Sequence, residues 1–529
     1  MTENTSDSGS ESRPAGSGAP AWDRRRRTPK TPRRWARRVL IGLLAVLVLL
    51  ILAATVLWLA RREAARQLLV GWLEDRGVAA DIQVETVEFD RFVGRIVIGD
   101  PANPDVRVER VEVDYVIGAP WSSVGLGVTP SRIRLVKPLV RASWREGRLS
   151  FGALDPIVEE FTRRPPDPSR RGPIVLVEQG EARLETEYGP VRALGDARLD
   201  DGRLMRLDAR VPAASLKSGD IEGRLADSRL TVRTSDGPRE RQVMAVALTT
   251  GLERFTTANS AGTDLALSLT GALPYPDRDI LAAAQPVTAE IDLTAGSWRS
   301  PAGDFAGVDA DLEISGRLRG WIDSFRLDAE TTGTVQADAL EAGFAEGRTA
   351  LLTLAGTTVA VSRGEQGVSW RGEGPVRLAA GRMALNDAVF SDLTVTSDAF
   401  LIGGRGAAWE ATAPLALAAD RFEFGDLNLR TVRGQLGFDL VNEGAATLSA
   451  SGSMTAAGGA WPLFGPVGPD DVPELAAMKR ALGDFRLNAP GFRLTADAEG
   501  SRVRLTRPVE VRPANGGVLS VLAAEGPIY

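Results

Sequence analysis

The 529-residue chain contains no histidine and no cysteine. Without cysteine there are no disulfides, so stability rests on packing alone. Without either residue there is no Cys–His dyad, no Ser–His–Asp triad and no His or Cys metal site. Chemistry is left to carboxylates, lysine, serine and a small set of 4 tyrosines. No Gly-x-x-x-x-Gly-Lys-Ser/Thr loop occurs, so there is no ATP-binding signature of that type. Acidic pairs such as Glu159-Glu160 read as solvated surface. The chain is expected not to be an enzyme: no catalytic residue, no metal site and no cofactor.

Charge is unevenly spread. Residues 1–38 hold ten Lys/Arg against four Asp/Glu, a net of +6 in a chain whose total is −6, which leaves the rest at −12. A body of that sign is a poor nucleic-acid binder. The basic residues instead flank the one long apolar run, Val39–Ala60, which is 22 residues without a charge. At ~1.5 Å per residue a helix of that length crosses a ~30 Å hydrocarbon layer. The expected anchor includes Val39, Leu44, Leu50, Trp58 and Ala60. Arg24, Arg25, Arg26, Arg27, Arg33, Arg34, Arg37 and Arg38 precede it, and positive charge beside a span stays cytoplasmic. Trp35 and Trp58 mark the two interfaces. The body is therefore expected outside the cytoplasm. The competing reading is a cleaved signal peptide, whose apolar region is ordinarily about 7–15 residues and thus shorter.

The remainder divides by pattern. Residues 1–38 are too polar to fold and read as a cytoplasmic tail. Residues 61–76 have a helical spacing through Leu68, Leu69, Trp72 and Leu73, with Gly77 as the stop. From Asp81 the period becomes two. The phase slips between Val84 and Val87, and between Val108 and Val111, as at a β-bulge. Val140, Ala142 and Trp144 share a face beyond Pro138. Residues 61–161 form a head unit, and 162–173, with Arg-Arg-Pro-Pro-Asp-Pro, form a linker. Residues 174–529 repeat short strands, for example Ala182–Tyr188, Leu265–Leu269, Phe325–Ala329 and Phe422–Leu429. A helix is expected near 471–482, capped by Asp470 or Asp471, either plugging one end of the sheet or lying on its surface.

About 25 strands cannot remain flat and open in water; they close, split or curl. With one interruption in the turn spacing, the expected fold is mainly β: a single transmembrane helix, then a long curled antiparallel sheet forming an open groove. Val140, Trp144, Leu184 and Tyr188 are its candidate lining. Such a trough suits lipid. Carrying a two-chain lipid through water exposes about 30 methylenes, of order 25 kcal/mol at ~0.8 kcal/mol each.

Three stretches carry a resemblance: Ile98–Asp105 (Ile-Gly-Asp-Pro-Ala-Asn-Pro-Asp), Arg132–Val140 (Arg-Ile-Arg-Leu-Val-Lys-Pro-Leu-Val) and Gly147–Asp155 (Gly-Arg-Leu-Ser-Phe-Gly-Ala-Leu-Asp). Behind a basic tail and one span, they resemble the AsmA-like/TamB superfamily, and within it most the YdbH family of intermembrane phospholipid transport proteins. The resemblance covers residues 30–200; beyond that it is a style of repeated strand. It implies an inner-membrane protein, its bulk periplasmic, whose groove carries phospholipid acyl chains toward the outer membrane and a partner there. It brings no catalytic residues. Longer members carry a further C-terminal module that nothing here resembles, which leaves open a short member or part of a longer protein. The alternative class is a TamB-like scaffold that assists outer-membrane protein assembly.

Overall fold

The structure, a computed structural model, describes residues 62–521 apart from 64, 68, 118–127, 146–147, 164–171, 239–240, 302, 322–323, 344, 366, 407, 426, 444, 459–466, 484, 498 and 514–516. The expected anchor and its flanking Arg and Trp residues lie outside these. Among the described residues no helix is long and apolar enough to cross a membrane.

The described chain is mainly β, with a few short helices. Its 26 strands join in one sheet. The head begins with helix α1 (62–74), which ends where Gly77 takes φ +74° and Val78 N–H bonds the Leu73 carbonyl at 3.0 Å. Strands β1 (Ala80–Val87), β2 (Arg91–Ile98), β3 (Val106–Ile117) and β4 (Val128–Arg145) follow as an antiparallel meander. The two phase slips in the sequence fall at register shifts: β1 skips a pair between Val84 and Thr86, and Gly94 and Ile96 of β2 face Val111 and Val108 of β3. Leu73, Val78, Ile82, Val106 and Val111 are buried together, and Leu154 and Ile157 pack on them. Helix α2 (Asp155–Arg163) is tied to α1 by Arg76, whose guanidinium reaches Glu160 at 2.7 Å and lies 4.1 Å over the Trp72 ring.

The sheet is not wholly antiparallel as expected. After β5 (Arg148–Ser150), β6 (Ile174–Thr186) pairs in parallel with β4, from Arg132↔Ile174 to Trp144↔Thr186. The connection through β5 and α2 is the long crossover that a parallel pair requires. Helix α2 also takes the first two residues of the expected linker 162–173, because an apolar face at Ile157 carries the helix on to Arg163.

From β6 the array runs antiparallel through β7 (Gly189–Asp200), β8 (Arg203–Val211), β11 (Ser228–Thr234), β12 (Val243–Thr256) and β13 (Ala261–Pro274), with a hairpin of β9 (Ala214–Ser218) and β10 (Ile221–Leu225) against the far half of β12. Short helix α3 (Arg278–Leu281) follows. The strands then lengthen: β14 (Gln285–Ser300), β15 (Gly303–Trp321), β16 (Ser324–Ala342), β17 (Ala345–Gly364), β18 (Gly367–Leu385), β19 (Ala388–Arg405), β20 (Ala408–Phe424) and β21 (Leu427–Asn442). They are 16–20 residues long, not the five or so expected for most of them. The expected strand Phe422–Leu429 is instead two strands joined at Gly425, whose φ of +54° makes the turn. Strand β22 (Ala446–Ala457), helix α4 (Pro473–Gly483), β23 (Phe485–Asp497), β24 (Gly500–Leu505), β25 (Val509–Pro513) and β26 (Leu519–Val521) complete the description.

Long strands are possible because bulges bend them. Left-handed residues stand at Asp264, Gly307, Thr349, Asp392 and Thr431, on β13, β15, β17, β19 and β21, spaced 43, 42, 43 and 39 residues apart. At each the cross-strand pair is missing: Arg348↔Arg382 and Ala350↔Ala380 flank unpaired Thr349 and Gly381, and Ala419↔Val432 and Arg421↔Arg430 flank unpaired Asp420 and Thr431. The gaps align from strand to strand into one crease across the sheet. A bulge sharpens the local twist and bend.

Helix α4 starts at Val472, whose carbonyl accepts from Ala476 N–H at 2.9 Å. Asp471 is not its cap as expected. Its carboxylate accepts from Gly468 N–H and from Lys479 Nζ, 2.7 and 2.8 Å, in a pair whose side chains are 12% and 13% exposed. A lysine two turns into the helix outcompetes the helix's own N–H groups because it brings a full charge.

Candidate functional site: an apolar groove

Cross-strand partners share a face of a sheet, so register shows which side chains form a continuous surface. One row runs Leu230↔Leu248, Leu248↔Leu269, Leu269↔Ile291 and Ile291↔Leu312. It continues through Gly333 to Leu354 and Val376. A parallel row runs Val335↔Leu352, Leu352↔Leu378, Leu378↔Val395 and Val395↔Leu417. Beyond β20 the face continues as Leu436, Phe438 and Leu440 on β21, Ala450 and Met454 on β22, and Leu494 paired with Val503. At the crease, the gaps beside Thr349 and Asp420 remove one residue from each strand and so leave this face unchanged.

Between Pro301 and Val509, side chains that include Leu352, Leu378, Val395, Leu417 and Phe438 line a groove of about 2070 Å³. That is at least twice the ~300–1,000 Å³ of a small-molecule pocket. Among the described residues its charged members are Arg371, Asp387 and Glu423, all close to strand ends. Along one margin Leu429, Val432 and Val511 are fully buried, with Phe485 and Met383 beside them. Phe390 and Phe422, a register pair, meet with ring centroids 4.8 Å apart.

The reverse face is charged. Glu290 pairs with Glu313, Asp292 with Asp311 and Arg319 with Arg326. Ion pairs two residues apart run along single strands, as in Arg206–Asp208 and Arg326–Asp328. Upstream, Arg183 and then Arg192 hold the Glu181 carboxyl below its usual range, and Arg134 does the same for Glu178. These pairs are solvent-facing and add little stability.

The expected lining residues lie upstream of the groove wall. Val140 is half-buried and packs on the head core. Trp144 is 40% exposed. Leu184 pairs with Val191, and that face passes through Ala193, Gly195 and Ala209 to Leu230, so Leu184 shares the groove face. Tyr188 stands in the turn after β6, its carbonyl bonded by Lys217 N–H. The wall proper, on β15–β24, was not singled out from sequence. Its signal is present in runs such as Leu-Leu-Thr-Leu (351–354), but alternation alone does not tell which runs share one surface.

The β18–β19 turn, at one end of the strands, places Asn386 Nδ2 2.8 Å from Ser501 Oγ of β24, whose register row lies near the opposite end.

Among the described residues no group of three or more Asp or Glu is placed to hold a metal ion. No family model matches the chain, and no curated protein matches it.

Proposed function

We propose that the chain is a lipid carrier of the cell envelope, akin to the AsmA-like/TamB superfamily and to its YdbH family. In this reading Val39–Ala60 anchors it in the inner membrane with the N-terminus cytoplasmic. The sheet curls around its apolar face in the periplasm, and phospholipid acyl chains travel along that face toward the outer membrane. The observation that carries the reading is the apolar face that runs from Leu230 to Val376 and is taken up by Leu378, Val395 and Leu417 and then, beyond β20, by Phe438, Leu494 and Val503, with most of the charge on the reverse side. A curl is supported by the hydrogen bond between Asn386 and Ser501, which stand at opposite ends of the strands. An apolar trough removes the cost of wetting the chains, and the head group stays in water at the lips.

Photo-crosslinking tests this. Probes replacing Leu312 and Leu354 should capture phospholipid in intact cells, and probes replacing Glu313 and Arg377 should not. Equal capture at all four would remove the sidedness on which the reading stands. Capture of nascent outer-membrane proteins in place of lipid would favour the scaffold reading.

A further inference from the structure

Register measures how far apart Asn386 and Ser501 lie along the sheet. Ser501 pairs with Ala496, Ala496 with Leu448, Leu448 with Leu440, Leu440 with Ala411 and Ala411 with Ile402. Ser501 therefore belongs to the row of Ile402, which is 16 residues beyond Asn386 in sequence. At ~3.3 Å per residue that is roughly 50 Å along the strand, and β24 is five strands from β19, roughly 24 Å more in the perpendicular direction. Yet the two side chains are hydrogen-bonded at 2.8 Å. The path between them along the sheet goes down one wall of the groove and up the other. Their contact is lip to lip, across the mouth.

Both lips are firm locally. Asn386 holds a left-handed conformation at φ 50°. Asp497 Oδ1 accepts from the backbone N–H groups of Glu499 and Gly500 and braces the other turn. Asp387 and Ala388 line the groove beside the first lip, and Val503 lines it beside the second.

We infer that the Asn386–Ser501 contact is a gate over the groove. This deepens the carrier reading and rests on it. A phospholipid head group is too costly to desolvate in an apolar groove without partners, so it rides outside the mouth. Upstream of β18 the mouth is free to pass it. At the bridge, the head group is stopped until the lips part. One hydrogen bond between exposed neutral side chains is weak enough to open thermally, so the bridge slows cargo and admits it one lipid at a time.

The absence of native cysteine makes the test direct. The full-length chain carrying N386C and S501C is anchored in phospholipid vesicles, and the two thiols are joined by a short bis-methanethiosulfonate that dithiothreitol cleaves. Photo-probes at Leu312, before the bridge, and at Leu494, beyond its first lip, report lipid. With the link closed, Leu312 should be labelled and labelling at Leu494 should fall at least tenfold; cleavage should restore it. In the uncrosslinked chain, Ser501→Ala, at a position without left-handed backbone, should speed the appearance of lipid at Leu494 several-fold, with unchanged thermal unfolding. Labelling at Leu494 that ignores both the link and the alanine overturns the gate while leaving the carrier reading intact. No lipid at either position in the unlinked chain overturns the carrier reading, and the gate with it.

Discussion

Leu429 has no exposed surface, and Val432 and Val511 next to it have almost none. These three seal the groove margin under β25. Leu429→Ala should cost about 3 kcal/mol, the usual range for a buried leucine whose site cannot collapse. A urea midpoint shifted down at unchanged slope would register it. The Asp471–Lys479 pair gives a second test. Lys479 first, and Gly468 N–H next, hold the Asp471 carboxyl below its ordinary value. A depressed carboxyl contributes stability that is full above its unfolded value, near pH 4, and is lost as pH falls through the folded one. Hydrogen exchange over residues 468–483 should therefore quicken on acidification below about pH 4, relative to β18. Asp471→Asn should produce the faster exchange already at pH 7.

At the scale of the element, the crease decides how a 19-residue strand bends. Thr349 and Thr431 are β-branched residues at φ 53° and 50°, where such side chains crowd the backbone. Thr431→Gly should raise stability by about 1 kcal/mol through relief of that crowding. Gly307→Ala should do the reverse: φ is +57°, and an added Cβ would come within 2.1 Å of Asp338 Oδ2. A loss of about 1–2 kcal/mol in thermal or urea unfolding is expected. The element boundaries also show what sequence conveys. The phase slips in β1 and β3 are visible because both half-strands keep clear alternation. The crease is not, since Asp, Gly, Thr, Asp and Thr occupy its five left-handed positions and share no local motif. Gly425-Asp426 was a turn signal lost inside an apolar run, so two strands read as one.

For the molecule as a whole, the mainly β character was legible in periodicity and turn residues. The groove wall was not. Whether Leu312 and Leu354 belong to one surface depends on register between strands tens of residues apart, and the two-residue period says only that each has a buried side. Pro375 and Pro414 stand inside long strands, at points where pairing with β19 is interrupted. A single charge on the shared surface should act at this scale. Leu354→Glu should cut phospholipid capture at a probe on Val395 by tenfold or more while circular dichroism keeps its β signal, because a carboxylate in the trough forces water into it.

The spacing of the crease, 39 to 43 residues, has a consequence for reach. Each period is two strands, so it advances the array by ~9.6 Å, and in the array each strand bonds chiefly its immediate neighbours. Such a chain behaves as a one-dimensional stack in which whole units can be added or deleted without disturbing the rest. On the carrier reading, a wider gap between two bilayers calls for no new architecture, only another copy of the same paired unit spliced in at a hairpin tip.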